Sequence, residues 1–276
     1  MASIILPSRW TSQPQYPVEI DWSNPLLKSA IALQIFTPSL SGQHFDVIGP
    51  KNSITQSGTW SEVVSLEGKA YENATNAYIY VASPSWDRTT ITNQLTSALL
   101  YAWESDTNSV SQFILGDVQA PGVAGSQYNW GHYFANSGNS WYFYVHNGTT
   151  AVNTGNQPFV AGKVNTLVGV YDGANITGYF NGAKTQAAQT GNVRSTSSNH
   201  GLGLNCWSNV ASAAAGKYYV HILLNRAWSD AEEATWRANP WQIFRAKPRV
   251  LYFDVGAGGG ITVAVNQSTE TDTAQA

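Results

Sequence analysis

Residues 165–187 read NTLVGVYDGANITGYFNGAKTQA, and this stretch decides the fold class. It holds two short apolar runs, Thr166–Tyr171 and Ile176–Phe180. Both are rich in β-branched and aromatic residues, which suit a pleated strand. The first run leads into Asp172-Gly173 and the second into Asn181-Gly182. Asp-Gly and Asn-Gly supply the positive-φ residues that tight hairpin turns demand. Two such turns in succession predict a three-stranded antiparallel meander.

The same grammar of short apolar runs between turn signals recurs on both sides. Upstream strands are predicted at Ala77–Ala82, Ser97–Trp103, Gln112–Leu115 and Trp141–His146, and downstream strands at His200–Leu204 and Lys217–Leu224. One helix is predicted. Ser229-Asp230-Ala231-Glu232 forms a capping box, in which the Ser229 hydroxyl and the Glu232 carboxylate satisfy each other's backbone amides. Asp230, Glu232 and Glu233 also suit the positive end of the helix dipole. Pro240 ends the helix, which is expected to cover one end or edge of the sandwich.

Residues 1–21 carry Pro7, Pro14 and Pro17 and read as an extended arm rather than a central strand or helix. Residues 22–255 form the sandwich, and 256–276 a docking tail. The tail starts with the flexible Gly256–Gly260 joint and includes an alternating strand at Ile261–Val265. The expected architecture is all-β: an antiparallel two-sheet jelly-roll sandwich with one short helix, an N-terminal arm and a C-terminal tail.

Composition bounds the function. Of 276 residues, 43% are hydrophobic and 11% charged, against about 25% charged in an average globular chain. Neutral polar residues must therefore cover the surface, as suits extracellular or virion proteins. With a net charge of −3, no basic surface is expected to neutralise a phosphate backbone, so nucleic acid is not an expected partner. No run approaches the roughly 18 apolar residues of a membrane helix. The opening MASIILPSRW has neither a basic n-region nor a long apolar h-region, so no secretory signal is expected. The single cysteine, Cys206, excludes an internal disulfide and a thiolate zinc site. It is expected to be a small core residue.

Three segments, TLVGVYDG, ITGYFNGAKT and KYYVHILLNRAWSDAEEATW, follow one another in an order that resembles the laminin-G-like (concanavalin A-like) jelly roll. That family's Y-x-N-G hairpin resembles Tyr179-Phe180-Asn181-Gly182. Its N-R-x-[LW]-S-x-x-E junction resembles Asn225–Glu232. Asn24-Pro25-Leu26 followed by Ala30–Phe36 resembles its opening strand. Ser65–Asn76 resembles its F-D-G-x-x-D-Y stretch but departs from it, with Leu66-Glu67-Gly68 in place of Phe-Asp-Gly. The resemblance covers roughly 22–245. It implies a fold and leaves function open, because this fold hosts lectins, adhesion modules, glycosidases and particle proteins.

The arm residues Arg9, Trp10, Gln13-Pro14-Gln15, Asp21 and Asn24-Pro25-Leu26 resemble the arms of tailed-bacteriophage structural proteins. The tail Val265–Gln275 is similar to linker repeats at the ends of such proteins. The resemblance implies a non-enzymatic virion protein: a capsid decoration, head fibre or tail-associated subunit. Other virion proteins would then be partners through the arm and tail, the chain would be a homo-oligomer, and export would follow from lysis. The alternative is a glycan-binding module that contacts a host surface polysaccharide.

The chemistry favours binding over catalysis. A retaining glycosidase needs two carboxylates about 5–5.5 Å apart. The nearest pattern, Glu104-Ser105-Asp106, lacks its third carboxylate, with Asn108 and Ser109 at the two possible places, and reads as a solvated turn. Glu232-Glu233 belongs to the helix start. His44, His132, His146, His200 and His221 show no metal-ligand spacing, and His146 and His221 read as strand-face residues. No G-x-S-x-G elbow is present. Asp87, Asp106, Asp117 and Asn205 are calcium candidates by type, but they form no clustered loop. No catalytic residue, metal or cofactor is expected.

The 11 Trp and 14 Tyr carry the remaining hypothesis. Gln127–Tyr133 (QYNWGHY) and Asn139–Tyr144 (NSWYFY) mix rings with amides. Flat rings suit sugar faces, and amides suit hydroxyls, although most rings are expected in the core. Trp130, Tyr133 and Trp207 are the expected exposed binding residues, because Gly or Asn neighbours place them near loops.

Overall fold

A computed structural model describes residues 13–14, 18–36, 45–46, 54–57, 59–65, 68–73, 78–82, 91, 93–105, 112–118, 128–135, 140–194, 199–202, 215–246, 253–255 and 261–263. Its strands are β1 (Val18–Ile20), β2 (Ala30–Ile35), β3 (Phe45–Asp46), β4 (Ile54–Ser57), β5 (Trp60–Ser65), β6 (Gly68–Asn73) and β7 (Tyr78–Ala82). Next come β8 (Leu95–Ser105), β9 (Gln112–Val118), β10 (Tyr128–Ala135), β11 (Ser140–His146), β12 (Ala151–Asn153), β13 (Gln157–Pro158) and β14 (Val164–Tyr171). The last are β15 (Asn175–Phe180), β16 (Ala183–Ala188), β17 (Asn199–Leu202), β18 (Ala215–Leu224), β19 (Phe244–Ala246), β20 (Phe253–Val255) and β21 (Ile261–Val263). The helix α1 spans Asp230–Ala238, and 3-10 turns occupy Pro25–Leu27 and Pro240–Ile243.

A nine-stranded sheet runs β16-β15-β14-β8-β18-β2-β3, with the β5–β6 hairpin attached to β18. An eight-stranded sheet runs β12-β11-β10-β9-β17-β7-β4, with β13 on β11. Every described pairing is antiparallel. The expected meander is β14-β15-β16. Asn181 and Gly182 have φ of 50° and 87°, both positive as a type I′ turn requires. At the other turn, Asp172 Oδ1 accepts from the amides of Ala174 (2.8 Å) and Asn175 (2.6 Å).

The main core lies between the two sheets. Trp141, Phe143 and Val145 of β11 and Trp130 and Phe134 of β10 meet Leu95, Leu99, Tyr101 and Trp103 of β8 and Leu167 of β14. One row of the nine-stranded sheet is kept small: Ser97 pairs with Gly169, and Gly169 with Gly178. A Cβ on Gly169 would come within 2.1 Å of the Phe143 ring, and one on Gly178 within 2.7 Å of Thr154 Oγ1. The bare backbone there lets the large rings of β11 seat, which is close packing at the level of single atoms.

A second core covers the outer face of the nine-stranded sheet. Ala98, Leu100, Val168, Val170, Val220 and Ile222 pack under Leu26, Leu27, Trp228, Trp236 and Trp241. The helix was expected at one end or edge. It covers a face instead, because the outward residues of β8, β14 and β18 are themselves apolar and need a lid. Arg226 ties this lid down, donating to Lys28 O and Pro25 O, both at 2.8 Å, and pairing with Glu232 at 2.7 Å.

Two local expectations change. Trp130 and Tyr133, expected near loops, lie in Tyr128–Ala135, a full strand inside the eight-stranded sheet. Glu104 and Ser105 end strand β8 rather than forming a turn, and 106–109 lie outside the described residues. Parts of the arm lie on the sandwich. Gln13 is buried and accepts from the Lys69 amide, and β1 pairs with β19.

Candidate functional site

The nine-stranded sheet has a core on each face, so attention falls on the outward face of the eight-stranded sheet. Strand β11 alternates strictly. Trp141, Phe143 and Val145 are buried, and Tyr142, Tyr144 and His146 between them are half-buried. The sequence WYFYVH dictates this, because successive side chains point to opposite faces. The three outward rings form a ladder along one strand, about 14 Å from first to last at 3.4 Å per residue. Register places Tyr133 beside Tyr142 and the exposed Asn153 beside Tyr144. The Tyr133 and Tyr142 rings stack with centroids 4.7 Å apart and planes 29° apart.

The end of the ladder is held firmly. Asn147 Oδ1 accepts from the amides of Thr149 (3.0 Å) and Thr150 (2.8 Å), and its Nδ2 donates to Thr190 O at 2.8 Å. His146 Nδ1 accepts from the Gly148 amide at 2.8 Å, which leaves the proton of the neutral ring on Nε2 as a donor. Burial, aided by the Arg194 charge, holds the His146 imidazole below the usual histidine range. The ladder therefore consists of two half-buried tyrosines and one neutral imidazole, with the exposed Asn153 amide alongside. Groups of this kind suit hydroxyl-rich, flat-faced ligands.

Of the three residues expected to bind, one is on this face. Tyr133 points outward but is 5% exposed and serves as the backing of Tyr142. Trp130 is 1% exposed and stands in the main core beside the His221 ring. Its expected exposure is corrected. Asn129 and Gly131 are strand residues here, not loop markers, and inward alternation buries the indole. Trp207 and Cys206 lie outside the described residues. Tyr142 and Tyr144 belong to the Asn139–Tyr144 stretch and His146 reads as a strand-face residue, but neither they nor Asn153 are among the three expected binding residues, although the W-Y-F-Y-V-H alternation carries the signal.

A second polar group sits between the sheets. Ser97 Oγ lies 2.8 Å from His132 Nε2 and 2.9 Å from His221 Nε2. Trp141 Nε1 donates to His132 Nδ1 at 3.3 Å, and His221 Nδ1 lies 3.0 Å from Gln34 Oε1. Ser97, His132 and His221 are each 0% exposed, so this serine–histidine contact is closed to any substrate. Burial pushes the His132 imidazole down to about 3, against a smaller upward pull from its hydrogen bond with Ser97.

The carboxylates have structural partners. Asp230 meets Lys184 (2.8 Å) and Tyr179, Glu232 closes the capping box, and Glu233 pairs with Arg237 at 3.1 Å. Asp117 accepts from Asn129 at 3.2 Å. Asp87, Asp106 and Asn205 lie outside the described residues. Among the described residues, no three His, Cys, Asp or Glu side chains gather as a metal site.

No protein-family model and no curated protein sequence matches the chain. Solved structures do. The binding domain of Paraclostridial Mosquitocidal Protein 1 aligns with a TM-score of 0.57 at 10% identity, over 77% of this chain and 52% of that one. The chain has a β-sandwich jelly-roll fold. Domain 4 of AbnA, an extracellular arabinanase from Geobacillus stearothermophilus, solved with arabinotriose, aligns at 0.54 and 15% identity, over 76% of this chain and 98% of that one. Trypanosoma rangeli sialidase, solved with sialic acid, aligns at 0.56 and 12% identity, over 78% of this chain and 34% of that one. This jelly roll therefore spans about half the length of the mosquitocidal binding domain and nearly all of the arabinanase domain.

Proposed function

We propose that this chain is a non-catalytic glycan-binding module and that the outward ladder of β11 is its binding face. The observation that carries the proposal is the row Tyr142, Tyr144 and His146, half-buried and braced by Tyr133, with Asn153 alongside. Ring faces stack on sugar faces, and the amide and imidazole N–H reach hydroxyls. The company of the fold supports the reading, since the arabinanase domain that aligns over 98% of its length was solved with arabinotriose. The test is a broad glycan array followed by calorimetry, with wild type and Tyr144→Ala compared. Binding by wild type that the variant loses supports the proposal; no binding across the array overturns it.

A second reading, a subunit of a phage particle that carries this module, is favoured by where the arm and tail leave the sandwich. The β1–β19 ladder brings Val18–Ile20 and Phe244–Ala246 together. Trp22, 57% exposed, stands next to it. The ends of β1 and β19, Val18 and Ala246, are thus paired beside an exposed indole, an arrangement that suits docking onto a larger body. Truncations lacking 1–17 or 247–276 should stay folded and fail to enter particles. Normal incorporation of both would remove this reading.

A further inference from the structure

The polar chain between the sheets plays no part in a binding face on the opposite side of β11, yet the Trp141 indole fixes the first proton in it and one consistent direction of donation follows. The Trp141 indole N–H can only donate, so His132 Nδ1 is an acceptor. The neutral His132 ring then carries its proton on Nε2 and gives it to Ser97 Oγ. The single Ser97 hydroxyl proton goes to His221 Nε2. His221 is therefore protonated on Nδ1 and donates to Gln34 Oε1. Donation runs one way from Trp141 to Gln34. It crosses from the eight-stranded sheet (β11, β10) into the nine-stranded sheet (β8, β18, β2).

We propose that this chain of hydrogen bonds is an acid-opened latch between the two sheets, with His132 as its break point. A second proton on His132 must sit on Nδ1, where it faces the Trp141 N–H, and two donors then oppose each other across 3.3 Å. A second proton on His221 is absorbed more easily. Ser97 Oγ has two lone pairs and can accept from both rings. The groups against His132 are Ser97 from β8 and Trp141 and Phe143 from β11, and the one titratable neighbour across them is His221 of β18, which shares the Ser97 hydroxyl. From β9, Leu115 is in register with His132. The carboxylate of that strand, Asp117, lies one row along beside Trp130 and is bonded to Asn129.

The low proton affinity that burial gives His132 acts in the same direction. Above the ordinary histidine range neither state is protonated, and the latch is at full strength. As pH falls through that range, the unfolded chain takes up a proton that the folded chain refuses, so the folded state loses ground.

The test uses the full chain and two readouts. Ring-nitrogen NMR at neutral pH should show His132 as the Nε2–H tautomer and His221 as the Nδ1–H tautomer; any other pair overturns the latch. Urea unfolding should show the folding constant of wild type falling about tenfold per pH unit below the histidine range relative to His132→Gln, the slope of one proton. An equal slope in the variant overturns the proposal. If His132→Gln does not fold, Trp141→Phe removes the opposing N–H and should weaken the acid loss. An unchanged acid profile in that variant also overturns it.

Discussion

Phe143 of β11 lies directly over Gly169 of β14, and a Cβ on that glycine would stand 2.1 Å from the aromatic ring. The contact joins the two sheets at the point where the small row of one receives the large row of the other. Gly169→Ala should therefore behave as overpacking, with a cost of about 1–3 kcal/mol or more. Phe143→Leu in the same chain should return part of that loss. A double-mutant cycle by urea denaturation measures the coupling, and strictly additive effects would contradict the contact.

Tyr144→Ala should weaken glycan binding at least tenfold, about 1.4 kcal/mol, with little change in melting temperature. Trp130→Ala should do the reverse. As a core indole it should cost about 3–5 kcal/mol of stability and reach binding only through unfolding. Calorimetry of binding and thermal unfolding, run on both variants, separates the two roles.

Ser229→Ala removes one half of the capping box and should cost about 1 kcal/mol. Burial pushes the Glu232 carboxyl up, and its bonds to Ser229 and Arg226 more than reverse this, leaving it below the usual range. A lowered carboxyl stabilises the fold above its unfolded value, and that contribution is lost as pH falls through the folded value. The loss should appear below about pH 4.5 and shrink in Glu232→Gln. An acid limb that is identical in the variant would assign it elsewhere.

Gly182→Ala should destabilise the β15–β16 turn. Its φ of 87° disfavours any side chain, and the new Cβ would meet Arg237 Nε at 2.5 Å. A loss near 1 kcal/mol or more in chemical denaturation is expected. A neutral substitution would mean that the turn can adopt another shape.

Local signals were the legible ones. Asn181-Gly182 announced its turn and Ser229–Glu232 its cap, because both work through residues within three positions of each other. Strands such as Leu95–Ser105 and Ala215–Leu224 were legible from the same punctuation, but not their order in the sheets, which non-local pairing decides. Trp130 was misread because Asn129 and Gly131 look like loop residues, whereas W-G-H-Y-F is an alternating strand with Trp130, His132 and Phe134 inward. The tyrosine ladder was legible in WYFYVH by the same alternation. The Ser97–His132–His221 chain was not, since its members are 35 and 124 residues apart and no local pattern links them. The helix was foreseen but not its seat, which depends on outward side chains from three distant strands.

The β1–β19 ladder has a mechanical side. Its first pair is Val18 with Ala246, then Glu19 with Arg245, then Ile20 with Phe244. Once the Gln13 contact with Lys69 has let go, a pull on residues 17 and 247 enters at the same end, at the Val18–Ala246 pair. The load therefore peels the ladder one pair at a time, while the sandwich beyond Ile20 and Phe244 bears no tension until the last pair lets go. Three short pairs act as a fuse that yields to a small force and spares the domain behind it.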